Sequence, residues 1–391
     1  MTALIALALI GPWKAFEFVE PQANGISIQA LVSLPKLGAK DMAKLEIIAG
    51  AIPKQTLEYP RREMLMVTGG EPAKCEITPD LLRMVVNVPP DKLKAGIGVM
   101  ESLVRDATLT QENLDAAAQE LPVPDYWSAA LNPFSLPAVK VKADEAQALY
   151  HRVLRPERIL LIVGGKFASG DAQQEWARRM ERWTAGKEQT GYFDISAPAD
   201  RDRNPGPVTT IDLAVAPLAA GDSGLPSKIL ALYALGTGKG SSLFRVVRER
   251  LGWSYRQEAV LSPTRDGWLP RLLIACIPTA DMAERVKTIK ANLLDDISSW
   301  TPATRDRAIG MAKAVLINQV PFNPLYVLGN SPVGNSLEDR TFLAGYWQLK
   351  TGNPWDPVAI FESMKQVSLD DLKEQATSML TTEIPRVLPG G

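Results

Sequence analysis

The sequence predicts an α+β protein with two homologous domains, each a mostly antiparallel sheet covered by helices on one face. Its 391 residues, 46% hydrophobic and 22% charged, are enough for about two or three globular domains. A segment rich in Gly, Pro, Asp and Arg, residues 191–207, lies near the midpoint and has the composition of a linker. Similar patterns of strands and helices flank it. We therefore expect an N-terminal domain at 1–190 and a C-terminal domain at 208–391.

The first half contains both strand-like and helix-like segments. Short apolar and β-branched runs predict strands, and apolar residues at helical spacing predict helices. The predicted strands are 26–34, 82–88 and 159–163, and the predicted helices lie near 41–51 and 91–106. A further helix should begin after Thr110, whose side chain is suited to an N-cap.

The second half contains the same two kinds of segment. The predicted strands are 208–215, 255–261 and 272–277, and the predicted helices lie near 227–235, 241–251 and 281–297. Thr301 is suited to cap another helix, which would begin at Pro302. Strands come singly or in pairs between helices in both halves. This order favours an α+β sheet over a strictly alternating parallel sheet.

The two halves repeat one order of elements. In each, a strand stops at proline and is followed by an amphipathic helix, a polar turn and a capped helix. Asp91 and Asp281, at the starts of the amphipathic helices, are 190 residues apart, and Thr110 and Thr301 are 191 apart. A repeat at half the chain length indicates a duplication.

The N-terminal run Met1–Ile10 is continuously apolar but about half as long as a membrane-spanning helix. We therefore expect no transmembrane anchor. The run suits the hydrophobic part of a secretory signal, which would place the protein outside the cytoplasm, as in a periplasm. It suits a short buried strand of a cytoplasmic protein equally well, so the sequence leaves the location open.

The composition excludes several classes of function. The formal net charge of −1 shows no global excess of positive charge that would point to a polyphosphate partner, so we expect no nucleic-acid partner. Cys75 and Cys276 are 201 residues apart and form neither a disulfide framework nor a metal knuckle. His151 is the single histidine, whereas zinc hydrolases draw on two or more. His151 lies at the end of a predicted amphipathic helix, where a structural role is the simpler interpretation.

A glycine-rich loop at 236–242 allows two interpretations. Gly-Lys followed by Ser before a helix is similar to a phosphate-binding loop, but Gly240 separates Lys239 from Ser241, and a helix-like run rather than a strand comes first. Nucleotide binding therefore fits poorly. The simpler interpretation is a turn between helices, in which glycine permits positive φ and Ser241 or Ser242 caps the next helix.

The next helix and its exit place two hydrogen-bond donors together. One face of the helix is apolar at four-residue intervals, and Arg248 lies off that face. Gly252 can adopt the left-handed conformation that ends a helix, after which a strand begins near Tyr255. Arg248 and Tyr255 then flank one turn. A guanidinium and a phenol in this position can both donate to a peptide carbonyl or its oxyanion.

Residues 241–255 resemble the second-domain signature of the pitrilysin/insulinase-like zinc metallopeptidases, whose smaller members include mitochondrial processing peptidase and paired bacterial peptidases. In that family, Leu-Phe after a glycine-containing loop precedes an Arg, and a Tyr follows seven residues later after a Gly. Arg248, Gly252 and Tyr255 match this pattern position by position. The duplicated halves and the linker extend the resemblance over nearly the whole chain.

The zinc motif of that family is absent. The family binds zinc with an inverted His-x-x-Glu-His on a first-domain helix. Glu46 could take the place of the acid, but Ala43 and Ile47 then stand where the two histidines belong. Neither side chain can bind a metal, so the resemblance implies no autonomous hydrolysis and no cofactor in this chain.

The resemblance therefore implies one subunit of a heterodimeric peptidase. A homologous partner would carry zinc, and this chain would hold the peptide substrate in a chamber and supply Arg248 and Tyr255. Gly238, Gly240 and Ser241 are then predicted to bind the substrate. The alternative is a catalytically inactive, peptidase-like scaffold or peptide-binding protein, in which both residues only decorate the fold.

Overall fold

A computed structural model describes most of the chain. The described residues are 5–10, 13–35, 37–78, 80–121, 136–181, 183, 208–214, 218–219, 221–264, 267–317, 336–353, 355–381 and 384–388. They form two compact units. The first contains the described residues of 5–121, 136–183 and 336–355, and the second contains those of 208–317 and 356–388. The predicted linker 191–207 lies outside the described residues.

The first unit contains a sheet and its helices. The strands are β1 (Ile5–Ile10), β2 (Trp13–Val19), β3 (Ile26–Ser33), β4 (Lys74–Ile77), β5 (Leu81–Val88) and β6 (Ile159–Gly165). The helices are α1 (Ala39–Ala51), α2 (Arg61–Val67), α3 (Leu93–Arg105), α4 (Gln111–Glu120), α5 (Ala143–Val153), α6 (Asp171–Met180) and α10 (Leu337–Thr351). All five strands and helices predicted for the first half are confirmed. Within the apolar N-terminal run, Ile5–Ile10 form a strand, and a strand is one of the two interpretations of that run given above.

The six strands are ordered β1-β2-β6-β3-β5-β4. Every neighbouring pair is antiparallel except β2 and β6, which are parallel. The central strand β3 is buried along nearly its whole length, because helices cover both of its faces. The mostly antiparallel sheet that the sequence predicts is confirmed.

The two faces of this sheet receive helices from different parts of the chain. On one face α3 approaches so closely that a Cβ on Gly96 would lie 2.6 Å from Ile28 Cδ1. On the other face α10 lies against β6, where a Cβ on Gly345 would overlap Ile162 Cδ1. Helix α10 comes from the second half of the sequence. The prediction placed this helix in the C-terminal domain 208–391, whereas in the structure it folds with the first unit.

Polar side chains of the sheet attach α10. The buried Arg83 lies beneath the Phe342 ring, with its Cζ atom 4.6 Å from the ring centroid, and its guanidinium reaches Glu338 at 3.4 Å. At the other end of the helix, Lys350 forms a buried ion pair of 2.6 Å with Asp80. Buried charges of this kind are stable only when paired, so α10 completes the fold of the first unit.

The second unit contains a second sheet. Its strands are β7 (Thr209–Ala214), β8 (Leu218–Ala219), β9 (Arg256–Thr264), β10 (Gly267–Cys276) and β11 (Ile384–Leu388). Its α-helices are α7 (Leu225–Gly236), α8 (Met282–Ser298), α9 (Pro302–Leu316), α11 (Pro357–Lys365) and α12 (Leu369–Thr381), and a π-helix spans Phe244–Arg250. Strand β10 pairs antiparallel with β7, β8 and β9, and β11 pairs antiparallel with β7. The predicted fold class, α+β with two sheets covered by helices, is confirmed. The first sheet has helices on both faces, where the sequence predicts helices on one face, because α10 from the second half adds the second layer.

The predicted helix caps are present in both halves. Thr110 Oγ1 accepts a hydrogen bond of 3.2 Å from the backbone N–H of Asn113. Thr301 forms a capping box with Thr304 at the start of α9. Both helices follow the amphipathic helix that the repeat predicts. Among the described helices, none combines the length and the hydropathy needed to cross a membrane.

Candidate functional site

The Arg248–Tyr255 pair lies at the end of the π-helix. The Cζ atom of Arg248 is 3.6 Å from the centroid of the Tyr255 ring, so the guanidinium lies over the face of the phenol. Tyr255 is 85% exposed and Arg248 is partly exposed. No carboxylate within the described residues lies in ion-pair distance of Arg248. The sequence-based prediction that the two residues flank one turn is therefore confirmed.

The turn between them is formed as the sequence predicts. Gly252 has a φ of +66°, the left-handed conformation that favours glycine. The backbone N–H of Leu251 donates to Val246 O at 3.0 Å, and that of Trp253 donates to Val247 O at 3.0 Å. The first of these bonds spans five residues, as in a π-helix, and the second spans six and closes the turn around Gly252. Arg248 is carried on the last turn before the chain enters β9.

A partly buried polar cluster holds the start of the π-helix. Arg245 donates to both carboxylate oxygens of Asp296 in α8, at 3.1 and 2.6 Å, and its third nitrogen donates to Gly240 O. Trp300 Nε1 donates to Ser242 Oγ at 3.0 Å and to Asp296 at 3.2 Å. Burial alone would raise the pKa of Asp296, but the hydrogen bonds from Arg245, Ser242 and Trp300 outweigh it and lower the pKa. No local pattern in the sequence indicates this pairing, because the partners are 51 residues apart.

The glycine-rich loop has a structural explanation at each glycine. A Cβ on Gly236 would overlap Ala259 of β9, and Gly238 has a φ of +75°. A Cβ on Gly240 would lie 2.9 Å from Arg307 Cδ. Ser241 Oγ accepts a hydrogen bond of 3.3 Å from the backbone N–H of Phe244. The interpretation as a capped turn is confirmed, and helix α7 precedes the loop where a phosphate-binding loop would follow a strand.

The three loop residues predicted to bind substrate differ in accessibility. Gly238 is exposed and Gly240 is partly exposed, whereas Ser241 is only 1% exposed. The Ser241 hydroxyl accepts the capping hydrogen bond from the Phe244 N–H, so this buried side chain stabilises the loop. A substrate contact by this loop stays a prediction, and the backbone around Gly238 is the part that can make it.

The zinc-motif positions lie on α1, where the sequence predicts a helix. Ala43 is 3% exposed and Ile47 is 4% exposed, so both side chains pack in the core of the first unit. Neither carries a donor atom, and these residues do not fit a zinc ion. Within the described residues, no three His, Cys, Asp or Glu side chains are grouped so that they could hold a metal. His151 lies in the last turn of α5, with Nε2 2.9 Å from the Gln147 amide nitrogen.

Comparisons of the sequence with protein-family models and with curated proteins found no match. Solved structures do match. A protease from Helicobacter pylori aligns with a TM-score of 0.76 at 12% identity, over 99% of each chain. An inactive peptidase M16 domain from Pseudomonas fluorescens aligns with a TM-score of 0.73 at 12% identity, over 98% of this chain and 97% of that one. This chain has the peptidase M16 fold. The pitrilysin/insulinase-like architecture expected from residues 241–255 is thereby confirmed at the level of fold.

Another matching structure is of a longer protein. It is a ferredoxin protease in complex with Arabidopsis ferredoxin, and it aligns with a TM-score of 0.65 at 11% identity over 98% of this chain. The present chain covers 47% of that protein. At this level of identity the likeness shows the fold alone, and the chemistry must be argued from the residues of this chain.

Proposed function

We propose that this chain is the zinc-free subunit of a two-chain metallopeptidase, in which it holds a peptide substrate and supplies Arg248 and Tyr255 to the zinc site of a homologous partner. The observation that carries the proposal is the Arg248–Tyr255 stack. A guanidinium without a carboxylate partner among the described residues lies on a phenol ring that is 85% exposed. Neither group is used to build the core.

The stack suits the stabilisation of a reacting carbonyl. Attack on a peptide bond moves negative charge onto the carbonyl oxygen, and N–H and O–H donors that are already in place stabilise it most. Arg248 offers several N–H donors and Tyr255 offers its hydroxyl. Because the ring face holds the guanidinium in one orientation, less freedom is lost when a substrate binds.

The zinc-motif positions support a partner subunit. Ala43 and Ile47 are buried without donor atoms, so this chain has no residues there to hold the metal that the fold family uses. Hydrolysis by the family chemistry would then require a second chain. The partner would be homologous and would carry His-x-x-Glu-His on the helix equivalent to α1.

A catalytically inactive scaffold is the second candidate. The fold match to an inactive peptidase M16 domain favours it, as does the apolar packing of Ala43 and Ile47. In that case the chain would bind a peptide or a partner without affecting a reaction rate. The two candidates differ in whether Arg248 and Tyr255 act on a reacting bond.

The test is a reconstitution. This chain, a homologous His-x-x-Glu-His chain from the same source, and a mixture of the two are assayed with internally quenched peptides, with and without a chelator. We expect chelator-sensitive cleavage in the mixture only. A stable complex that cleaves no peptide would favour the scaffold. Cleavage by the partner alone at the rate of the mixture would contradict a complementing role.

A further inference from the structure

A second guanidinium–aromatic stack lies beside the first. The Cζ atom of Arg285, in the first turn of α8, is 4.8 Å from the centroid of the Trp253 ring. Trp253 precedes Tyr255 by two residues, and Ser254 between them is 2% exposed. The Ser254 hydroxyl donates to Arg256 O at 2.8 Å, which turns this side chain inward. Tyr255 is 85% exposed and Trp253 is partly exposed, and each has an arginine over its ring.

Exposed apolar surface accompanies the two stacks. Ile277 is 70% exposed and directly follows β10, whose Ala275 pairs with Arg256 of β9. Arg285 Nη1 donates to Ile277 O at 3.5 Å. Arg248, Trp253, Tyr255, Ile277 and Arg285 thus form one surface at this end of the β9–β10 ladder, which we call the double-stack surface. Arginine and large aromatic residues are enriched at the centres of binding interfaces.

The polar contacts of Arg285 are long, and one of them is the bond of 3.5 Å to Ile277 O. Its ion-pair partner, Asp281, lies 3.9 Å from Arg285 Nε and is itself 67% exposed, whereas the Arg285 side chain is 19% exposed. Stacking on Trp253 occupies the flat face of the guanidinium and leaves its N–H edge for acceptors. A carboxylate fits that edge with two parallel hydrogen bonds and binds more strongly than a neutral carbonyl. A ligand carboxylate could therefore replace Asp281, whose contact with Arg285 is long, at this edge.

We propose that Arg285 is a specificity-determining residue, which binds an acidic side chain of the peptide while Arg248 and Tyr255 hold a backbone carbonyl nearby. The substrate class is then peptides with Asp or Glu close to the carbonyl that Arg248 holds. Ile277 and the Trp253 ring contact the methylene groups of that residue. This inference rests on the proposed function because it takes Arg248 as a substrate contact.

The test measures binding to the full chain by fluorescence anisotropy. The probes are three labelled peptides of equal length that alternate Ala with Glu, Gln or Lys, at about 150 mM salt so that long-range attraction is screened. We expect the Glu peptide to bind about ten-fold more tightly than the Gln peptide, since a charged acceptor strengthens the bond to the guanidinium. Equal affinity for the Glu and Gln peptides would overturn the proposal.

Three variants distinguish a specific effect of Arg285 from an effect of the overall positive charge. Arg285→Gln should abolish the preference for Glu, whereas Arg250→Gln, an equal change of charge on the neighbouring π-helix, should keep it. Asp281→Asn removes the competing carboxylate and should tighten binding of the Glu peptide several-fold, a gain that a merely structural role would not give. A preference that persists in Arg285→Gln, or an Asp281→Asn variant that binds no tighter, would contradict the assignment.

The outcomes also separate this inference from the proposed function. The binding assay needs no partner chain. A preference for the Glu peptide together with no peptidase activity in the reconstituted mixture would therefore contradict only the complementing role. An active mixture that cleaves the Glu and Gln peptides with equal kcat/KM would contradict only the acidic specificity.

Discussion

The guanidinium carbon of Arg248 lies 3.6 Å from the centre of the Tyr255 ring, seven residues further along the chain. The left-handed Gly252 makes this approach possible because it reverses the chain between the π-helix and β9. Behind the stack, Arg245 and Asp296 tie the start of the π-helix to α8. The exposed pair is thus presented by a hydrogen-bonded, partly buried support, which is the arrangement expected of a group that must meet a ligand in a fixed position.

Removal of the stack should leave the fold intact. Exposed cation–π pairs contribute about 0.5–1 kcal/mol, so Arg248→Ala should lower the free energy of unfolding by no more than about 1 kcal/mol. Tyr255→Phe keeps the ring and should change the free energy of unfolding by less than about 0.5 kcal/mol. Urea denaturation followed by circular dichroism measures both. A loss above about 2 kcal/mol in either variant would mean that the pair is structural.

The Asp296 carboxylate should stabilise the site in a pH-dependent way. Its pKa is lowered in the folded protein, so the folded state binds the proton less readily than the unfolded chain. The stabilisation is fully present above the ordinary Asp pKa of about 4, and it is lost as the pH falls through the lowered pKa. Asp296→Asn should therefore cost about 1.5–3 kcal/mol near pH 7, and the difference from the wild type should shrink below pH ~4.

Urea denaturation of Asp296→Asn and the wild type between pH 7 and 3 checks this. Asp306→Asn is the matched control, since Asp306 also contacts an arginine but is 69% exposed. The control should change the stability by less than about 1 kcal/mol at every pH. A stability difference for Asp296→Asn that is independent of pH would show that the carboxylate charge is not the cause.

Gly345→Ala should destabilise the protein although it improves helix propensity. The added methyl group would overlap Ile162 Cδ1 and lie 2.5 Å from Ile162 Cγ1, so α10 must move away from the sheet. Overpacking of this kind costs about 1–3 kcal/mol. Gly310→Ala in α9 is the control, because nothing lies within 4 Å of the added Cβ, and it should stabilise the protein by up to about 1 kcal/mol.

Thermal or urea unfolding distinguishes the two glycine variants by the sign of the change. Ile162→Ala combined with Gly345→Ala removes the overlapping atoms and should cost less than the sum of the two single changes. Additive losses in the double variant would mean that the two residues do not meet, and that α10 is placed wrongly against β6.

Lys350→Met should destabilise the first unit strongly. Lys350 and Asp80 are 6% and 4% exposed, and Tyr346 also donates to Asp80 Oδ2 at 3.0 Å. Loss of the lysine leaves a buried carboxylate without its cation, which costs about 3–5 kcal/mol. Lys365→Met is the control, since its pair with Glu362 is 40% and 53% exposed and should be worth less than about 1 kcal/mol. Equal losses in both variants, measured by urea unfolding, would contradict the buried role of Lys350.

Local signals in the sequence predicted much of the fold. Apolar periodicity located the strands and helices that the sequence analysis predicts, although several others, such as β4 and α2, were not among them. Thr110, Thr301 and Gly252 act at helix ends, where a side chain or a glycine has a local function. The sequence did not reveal the π-helix, because the spacing of apolar residues over two turns fits α and π geometry alike. The resemblance around Arg248 led to the right fold. Residues 241–255 contain both side chains that pack in the core and the exposed pair Arg248 and Tyr255.

Long-range relationships were missed. The pairing of Arg245 with Asp296 spans 51 residues, and no local pattern links them. Helix α10 has a capped start and a glycine end like any other helix, so nothing in its sequence shows which sheet it covers. The stack of Arg285 on Trp253 had one sign, a second aromatic residue two positions before Tyr255. No local pattern links Trp253 with Arg285, because the arginine lies on another element.

The most direct test of the central claim is the steady-state kinetics of the reconstituted complex with Tyr255→Phe or Arg248→Lys in this chain. If the pair stabilises the reacting carbonyl oxygen, kcat should fall about 10²–10³-fold for each variant while KM changes little, because the contact strengthens in the transition state. Arg250→Lys, on the same π-helix but bonded to Asn292 at 3.1 Å, should keep the wild-type kcat. Wild-type kcat in both Tyr255→Phe and Arg248→Lys would contradict the account.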